Sequence, residues 1–250
     1  MSSPLYLDHF YCGVSEEVFE ELKALEQVLP ITLVKEVLTD SDSWRGIYTF
    51  STSNCYSELL LRADKRASRG LGFAFSGLGA EKNLSAQLQS QFPAIQWERD
   101  MFRTPEGASW FEAISPKKDD SLNHSIVAWA MEYQGDFRDK RLQRAHLPGI
   151  AIRTFDRVHV RVPSQELALL GNRCEWYPGT RRFEQNAATI QFPLMSHGQT
   201  EFYLEADSNL TLPALHKIEV TLESNATCAN TSGKFFRLEI SGQKVTLSFL

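Results

Sequence analysis

The feature that most constrains this chain is an order of elements that runs once and then begins again: a strand, a helix and three further strands. The first copy opens with Tyr6-Leu7-Asp8-His9-Phe10-Tyr11-Cys12-Gly13-Val14 and closes with Cys55-Tyr56-Ser57-Glu58-Leu59-Leu60-Leu61-Arg62. Between them, Ser15 is placed to cap a helix, and Glu16 and Glu17 fill its first turn, where the positive helix end favours acids. Val18, Leu22, Leu25 and Leu29 recur at helical spacing and predict one buried face, with Pro30 ending the helix. The branched run Ile31 to Leu38 reads as a strand, Asp40-Ser41-Asp42-Ser43 as a turn, Trp44 to Ser51 as the next strand and Cys55 to Arg62 as the last.

The pattern restarts with a short strand over Gly70 to Phe75 and a helix whose face is marked by Leu84, Leu88 and Phe92, stopped at Pro93. Strands follow at Ile95 to Phe102, Ser109 to Ile114 and Ser125 to Tyr133. The charged stretch Asp136 to Arg141 and the pair Pro148-Gly149 read as a linker or covering segment. A third copy begins with Arg157-Val158-His159-Val160-Arg161-Val162, followed by a helix over Gln165 to Leu170, capped by Ser164 and stopped by Gly171. Strands at Thr189 to Leu194 and Thr200 to Glu205 complete it. The last stretch offers strands at Lys217 to Leu222, Phe235 to Ile240 and Val245 to Phe249, a fourth copy whose helix is replaced by the polar loop Asn225 to Gly233. The expectation is an α+β protein of paired βαβββ modules forming a cup-shaped mixed sheet. One domain of two modules would span residues 1–142, and a degenerate related C-terminal domain residues 150–250.

Composition narrows the function classes. With 42% apolar and 23% charged residues, the chain is made to fold rather than stay disordered. A net charge of -5 gives no footing for nucleic acid, which calls for a basic patch. No run approaches the roughly 18 apolar residues of a membrane span. The N-terminus lacks a basic start and apolar run of the export type. Cys12, Cys55, Cys174 and Cys228 are widely spaced and form no Cys-x-x-Cys, which suits reduced thiols in a cytoplasmic protein. Asn83, Asn123, Asn209, Asn225 and Asn230 each begin an Asn-x-Ser/Thr triplet, read here as polar loop composition.

The paired modules resemble the vicinal oxygen chelate superfamily of glyoxalases, extradiol dioxygenases and fosfomycin- or bleomycin-resistance proteins, and within it a little-characterised glyoxalase-like family. The segments that carry the resemblance are Leu7-Asp8-His9-Phe10-Tyr11, Ser43-Trp44-Arg45-Gly46-Ile47-Tyr48, Tyr56-Ser57-Glu58-Leu59 and Trp129-Ala130-Met131-Glu132-Tyr133. The resemblance implies a metal inside the cup, with ligands from the first and last strand of each module: His9, Glu58 and Glu132. The fourth position falls near Gly72, where no ligand stands. It further implies that Glu58 or Glu132 acts as a base, and that Tyr11, Trp44, Tyr48 and Tyr56 line the pocket.

Strand alternation tests this in part, because residues i and i+2 share a face. His9 then shares one with Leu7 and Tyr11, and Glu58 one with Tyr56, Leu60 and Arg62, leaving Leu59 and Leu61 for the helices. A Glu among leucines on a central strand is costly to bury unless it binds a cation or pairs, and Arg62 is the pairing candidate. For His9 the competing reading is a core histidine bonded to a backbone carbonyl. Glu112 is a reserve ligand. His159, Glu201 and Glu205 form a second candidate set, discouraged by Arg161 on the same face, and Arg181-Arg182 reads as a solvated loop.

A mixed imidazole and carboxylate set suits iron, manganese, zinc or nickel, acting as a Lewis acid on neighbouring substrate oxygens. No phosphate loop, nucleophile elbow or His-Glu-x-x-His motif is present. The expected function is a metal-dependent lyase, isomerase or dioxygenase acting on a small oxygen-rich molecule. The alternatives are a metal-free protein that sequesters a small molecule in the same cup, and an interaction protein. A homodimer is compatible with either, and neither nucleic acid nor membrane is an expected partner.

Overall fold

The computed structural model describes residues 5–24, 32–40, 42–62, 70–77, 83–117, 125–137, 139–140, 152–196, 198–224 and 230–250. Within the first sheet the elements are β1 (Leu5–Val14), α1 (Glu16–Leu22), β2 (Thr32–Leu38), β3 (Ser43–Phe50), β4 (Tyr56–Leu61), β5 (Leu71–Gly77), α2 (Leu84–Gln91), β6 (Trp97–Arg103), β7 (Ser109–Pro116) and β8 (Ile126–Tyr133). The second sheet follows with β9 (Ile152–Pro163), α3 (Ser164–Arg173), β10 (Thr180–Phe183), β11 (Ala187–Pro193), β12 (Gln199–Asp207), β13 (Ala214–Leu222), β14 (Thr231–Ser232), β15 (Phe236–Ser241) and β16 (Lys244–Phe249).

The strand orders are β2-β3-β4-β1-β5-β8-β7-β6 and β10-β11-β12-β9-β13-β16-β15-β14, so the two mixed eight-stranded sheets, one of them a curled half-barrel, repeat one plan. In the first sheet β1 runs parallel to β4 and antiparallel to β5, and β5 runs parallel to β8. Each parallel pair is the signature of a crossover through a helix, α1 or α2. The third module repeats this with β9 parallel to β12 around α3.

The fourth module departs from the plan. β13 pairs with β16 in the antiparallel sense, and β16 continues antiparallel to β15 and β15 to β14. β14 therefore enters the sheet from the end at which β13 leaves it, and the last three strands run opposite to those of a βαβββ copy. The fourth copy expected from sequence is therefore a copy in strand position and not in strand direction. Residues 225–229 of the polar loop expected over Asn225 to Gly233 lie outside the described residues, as do Leu25, Leu29, Pro30 and the Pro148-Gly149 pair.

Local chemistry explains the helix positions. Ser15 caps α1 by accepting a hydrogen bond from Val18 N at 3.4 Å, and α1 buries Phe19 and Leu22. Asn83 caps α2 from the left-handed region (φ 89°), its side chain accepting from Ala86 N, so this Asn-x-Ser triplet serves a turn. α3 differs from expectation at both ends. Pro163 stands in the cap position, Ser164 is already helical, and the helix passes through Gly171 to Arg173. Arg173 sustains the extra turn by pairing with Glu166 at 2.9 Å and donating to Leu169 O. Arg181-Arg182 lies in the edge strand β10 rather than a loop, with Arg181 donating to the carbonyls of Cys174 and Tyr177.

One apolar core joins the backs of the two sheets. Phe10 of β1 meets Phe155 of β9 and Phe202 of β12 edge-on, with ring centroids 5.4 and 5.1 Å apart. Phe73 of β5 meets Phe202 at 4.9 Å, and Phe75 meets Trp176 at 5.6 Å. Burial of each such ring contributes about 1.5–3 kcal/mol. Polar ties cross the same boundary. Glu166 of α3 accepts from Ser125 N, Arg62 donates to Pro213 O, and Glu21 of α1 accepts from Phe235 N at the β14–β15 turn. Cys12 is fully buried in this core, which pushes its thiol up to about 12 and leaves it an inert hydrophobe.

A candidate functional site in the aromatic cup

The face of the first sheet that turns away from the shared core carries the candidate site. On β4 the alternation holds: Leu59 and Leu61 enter the core, while Tyr56 and Leu60 pack on the cup side with Glu58 between them. On β3, Trp44, Tyr48 and Phe50 share that side, and the Trp44 indole N–H donates to the Tyr48 hydroxyl at 2.8 Å.

On β1 a regular alternation fails at one residue. Leu7 pairs with Phe75 and His9 with Ala74, so Asp8 is an extra residue in the ladder, a β-bulge. The bulge sends Leu7 into the shared core beside Phe10, while His9 and Tyr11 stay on the cup side. Leu7 is thereby corrected from the cup face to the core.

The bulge also brings Asp8 into the site. Its carboxylate, 1% exposed, lies 2.8 Å from His9 Nδ1 and accepts from Tyr133 Oη at 3.1 Å and from Ser76 Oγ at 3.1 Å. An ionised carboxylate is acceptor-only, so Nδ1 is the donor in this pair. The opposite nitrogen, Nε2, lies 4.0 Å from Glu58 Oε1. Aromatic rings enclose the pair: Tyr56 stacks on the His9 ring at 4.5 Å and 24°, and Trp129 meets it edge-on at 5.6 Å. Tyr11 leans on Trp129 at 5.9 Å, and Phe50 and Tyr48 flank Tyr56. The backbone-carbonyl partner weighed for His9 gives way to Asp8. Arg62, the pairing candidate for Glu58, directs one guanidinium nitrogen to the carbonyls of Gly13 and Pro213.

Glu132 does not join them. On β8 the cup side is taken by Val127, Trp129, Met131 and Tyr133, and Glu132 points the other way. There its two carboxylate oxygens accept from Asn83 N at 3.2 Å and Leu84 N at 2.8 Å, the first amides of α2. A carboxylate at a helix N-terminus satisfies orphan donors and complements the dipole. Glu112 is opposite Glu132 in the ladder and equally occupied, in a two-pronged pair with Arg99 at 2.8 and 2.9 Å. The hydrogen bonds to Glu112, then its charge and to a smaller extent that of Glu132, raise the Arg99 guanidinium above its ordinary value.

The gap at Gly72 has a physical cause. Gly72 is paired with Tyr11, and a Cβ at Gly72 would come 2.1 Å from the Tyr11 ring. The space for a fourth ligand is filled by that ring. A resident divalent ion is ordinarily held by three or more protein donors. Here His9 and Glu58 converge, Gly72 offers none and Glu132 is turned to α2. Among the described residues no group of three or more His, Cys, Asp or Glu side chains is placed to hold a metal. The residues present do not fit the expected three-ligand ion.

The outer face of the second sheet is of another kind. Arg157 pairs with Glu201 at 2.6 Å, His159 with Glu205 at 3.2 Å and Arg161 with Asp207 at 3.5 Å, a ladder of charges across β9 and β12. Lys217 and Glu219 add a pair on β13. The candidate set His159, Glu201 and Glu205 is divided among these pairs. Burial, then the neighbouring His216 ring 4.8 Å away, lower the His159 pKa against the pull of Glu205.

Sequence reasoning missed Asp8, Ser76, Tyr133 and Trp129 as members of the site. The only sign of the first was a carboxylate adjacent to the histidine, which a regular strand would send to the opposite face.

No protein-family model matches the chain, and no curated protein does. Among solved structures, a hypothetical protein from Staphylococcus aureus is similar over 85% of this chain and 88% of its own, with a TM-score of 0.52 and 10% identity. That likeness extends to the fold alone. A xylose isomerase-like TIM barrel/4-hydroxyphenylpyruvate dioxygenase fusion protein overlaps 86% of this chain and 37% of its own (TM-score 0.40, 11% identity). An extradiol ring-cleaving dioxygenase from B. fuscum overlaps 82% and 73% (TM-score 0.30, 10% identity). Both overlaps are too slight to argue from. No helix among the described residues is long and apolar enough to cross a membrane.

Proposed function

We propose that this chain is a small-molecule binding protein of the vicinal oxygen chelate type, which holds its ligand in the cup of the first sheet without a resident metal ion. The observation that carries this reading is the fate of the expected ligand set. Glu132 caps α2 and the Tyr11 ring fills the space at Gly72, so two protein donors stand where an ion needs three or four. The aromatic lining supports the same reading: Tyr11, Trp44, Tyr48, Tyr56 and Trp129 present flat apolar surface around one polar couple, the usual make-up of a small-molecule site. In this reading Glu58 and His9 orient the ligand, Asp8 positions His9, and Glu132 has no part in the chemistry.

Metal analysis of protein purified without chelators, before and after incubation with iron, manganese, zinc and nickel, tests it. The expected result is no stoichiometric metal, together with thermal stabilisation by a small aromatic ligand in metal-free buffer. A ligand at a hundred times its Kd stabilises by about 2.7 kcal/mol, which is readily seen. Stoichiometric metal that disappears in a Glu58→Ala variant would return the protein to the metal-dependent enzymes.

A further inference from the structure

Resting on the reading of the cup as a ligand site, we infer that it also carries out proton transfer on a flat aromatic ligand, with His9 Nε2 as the catalytic acid–base and Asp8 as its positioning residue. The second sheet holds a counterpart that lacks this arrangement. His9 stands opposite Tyr56 and Tyr11 opposite Glu58, just as His159 stands opposite Tyr203 and Arg161 opposite Glu205. The residue before His159 is Val158, buried in the shared core, whereas the residue before His9 is Asp8. A carboxylate in so buried a place is costly unless it is well partnered. The bulge in β1 supplies the partners: Ser76 Oγ and Tyr133 Oη donate to Asp8, and its Oδ1 lies 2.8 Å from His9 Nδ1. Bulges recur beside active sites, where they re-aim a side chain.

The imidazole is thereby held on three sides. Asp8 takes Nδ1, Tyr56 stacks on the ring at 4.5 Å and Trp129 meets it edge-on at 5.6 Å. Nε2 is the nitrogen that remains, and Glu58 Oε1, at 4.0 Å, is beyond hydrogen-bond reach of it. In His159 the same atom is engaged by Glu205 at 3.2 Å. A buried carboxylate on one imidazole nitrogen is the recurring support of a general acid–base, because it orients the ring and stabilises the imidazolium that forms.

Nitrobenzisoxazole, a flat bicycle, reads such a base without knowledge of the natural ligand. His9 Nε2 takes the proton from its ring carbon, the released electron pair completes a nitrile, and the ring N–O bond breaks to leave a coloured phenolate. The imidazolium then returns its proton to water. Indazole has the same shape and no cleavable bond, so it reports binding alone, through tryptophan fluorescence. The whole chain is expected to bind indazole and to open nitrobenzisoxazole at least about a hundredfold faster than an equal concentration of imidazole. His9→Ala should abolish the acceleration while indazole still binds. Asp8→Asn should lower kcat at least about tenfold with KM and indazole affinity unchanged. A loss confined to KM would make Asp8 merely structural and overturn its positioning role. Indazole bound without acceleration, or a full rate in His9→Ala, overturns the proton transfer and leaves the cup as a binding site. Failure of indazole to bind overturns the cup reading itself.

Discussion

The two sheets share one strand order and present opposite chemistry on their outer faces. On the first, the positions that alternate with the core are Tyr11, Trp44, Tyr48, Tyr56 and Trp129, closing around a single buried histidine and glutamate. On the second, the corresponding face is a ladder in which Arg157, His159 and Arg161 are each answered by an acid on the neighbouring strand. An acid that already has its cation beside it in the sheet has little to offer a ligand. The backbone plan fixes where a site can be, and the outward positions of β1, β4 and β8 decide whether there is one.

The comparison breaks first at the core, which belongs to both sheets. Phe10→Ala is expected to destabilise the protein by about 3–5 kcal/mol and to keep a single denaturant transition, read by far-ultraviolet circular dichroism. Two separated transitions would mean the sheets are independent. Next in size, Gly72→Val should cost about 1–3 kcal/mol by driving a side chain into Tyr11, and Tyr11→Ala in the same chain should recover part of it. Additive losses in that double mutant would contradict the contact. Glu132→Gln should cost about 1 kcal/mol through the weakened cap of α2, and leave ligand affinity in the cup unchanged. A large loss of ligand affinity would put Glu132 back in the site.

The smallest effects are reserved for the charged face. The pKa of His159 lies below its ordinary 6.5, so the folded state prefers the neutral ring. Its contribution is therefore complete above that value and is lost as pH falls below it, because the unfolded chain binds the proton more readily. Urea midpoints measured between pH 7.5 and 5 should decline, and less steeply in His159→Gln. Arg157→Ala should change stability by less than about 1 kcal/mol, since one partner of the pair is well exposed.

Much of this was legible in the residues. Ser15 with Glu16 and Glu17, and the Leu84/Leu88 spacing, placed two helices because capping and periodicity are local. The alternation around Glu58 put Tyr56 and Leu60 on the right side of β4 for the same reason. The failures share a cause, which is that each depends on a partner far along the chain. The bulge at Asp8 exists only through pairing with β5, and it moved Leu7 to the core. Glu132 was carried onto the cup by resemblance. Its own strand, with apolar Val127, Trp129, Met131 and Tyr133 on one side, already assigned it to the other. The direction of β14 to β16 was out of reach, because strands read one at a time carry no polarity.

The bond from Phe235 N to Glu21 closes a separation of 214 residues. During synthesis from the N-terminus, α1 is made early and its acceptor has to wait for nearly the whole chain. The β14–β15 turn is thereby tied to the first helix of the chain. The reversed C-terminal meander is thus anchored through α1, and removal of Glu21 by Glu21→Ala is expected to raise hydrogen exchange at the β14–β15 turn.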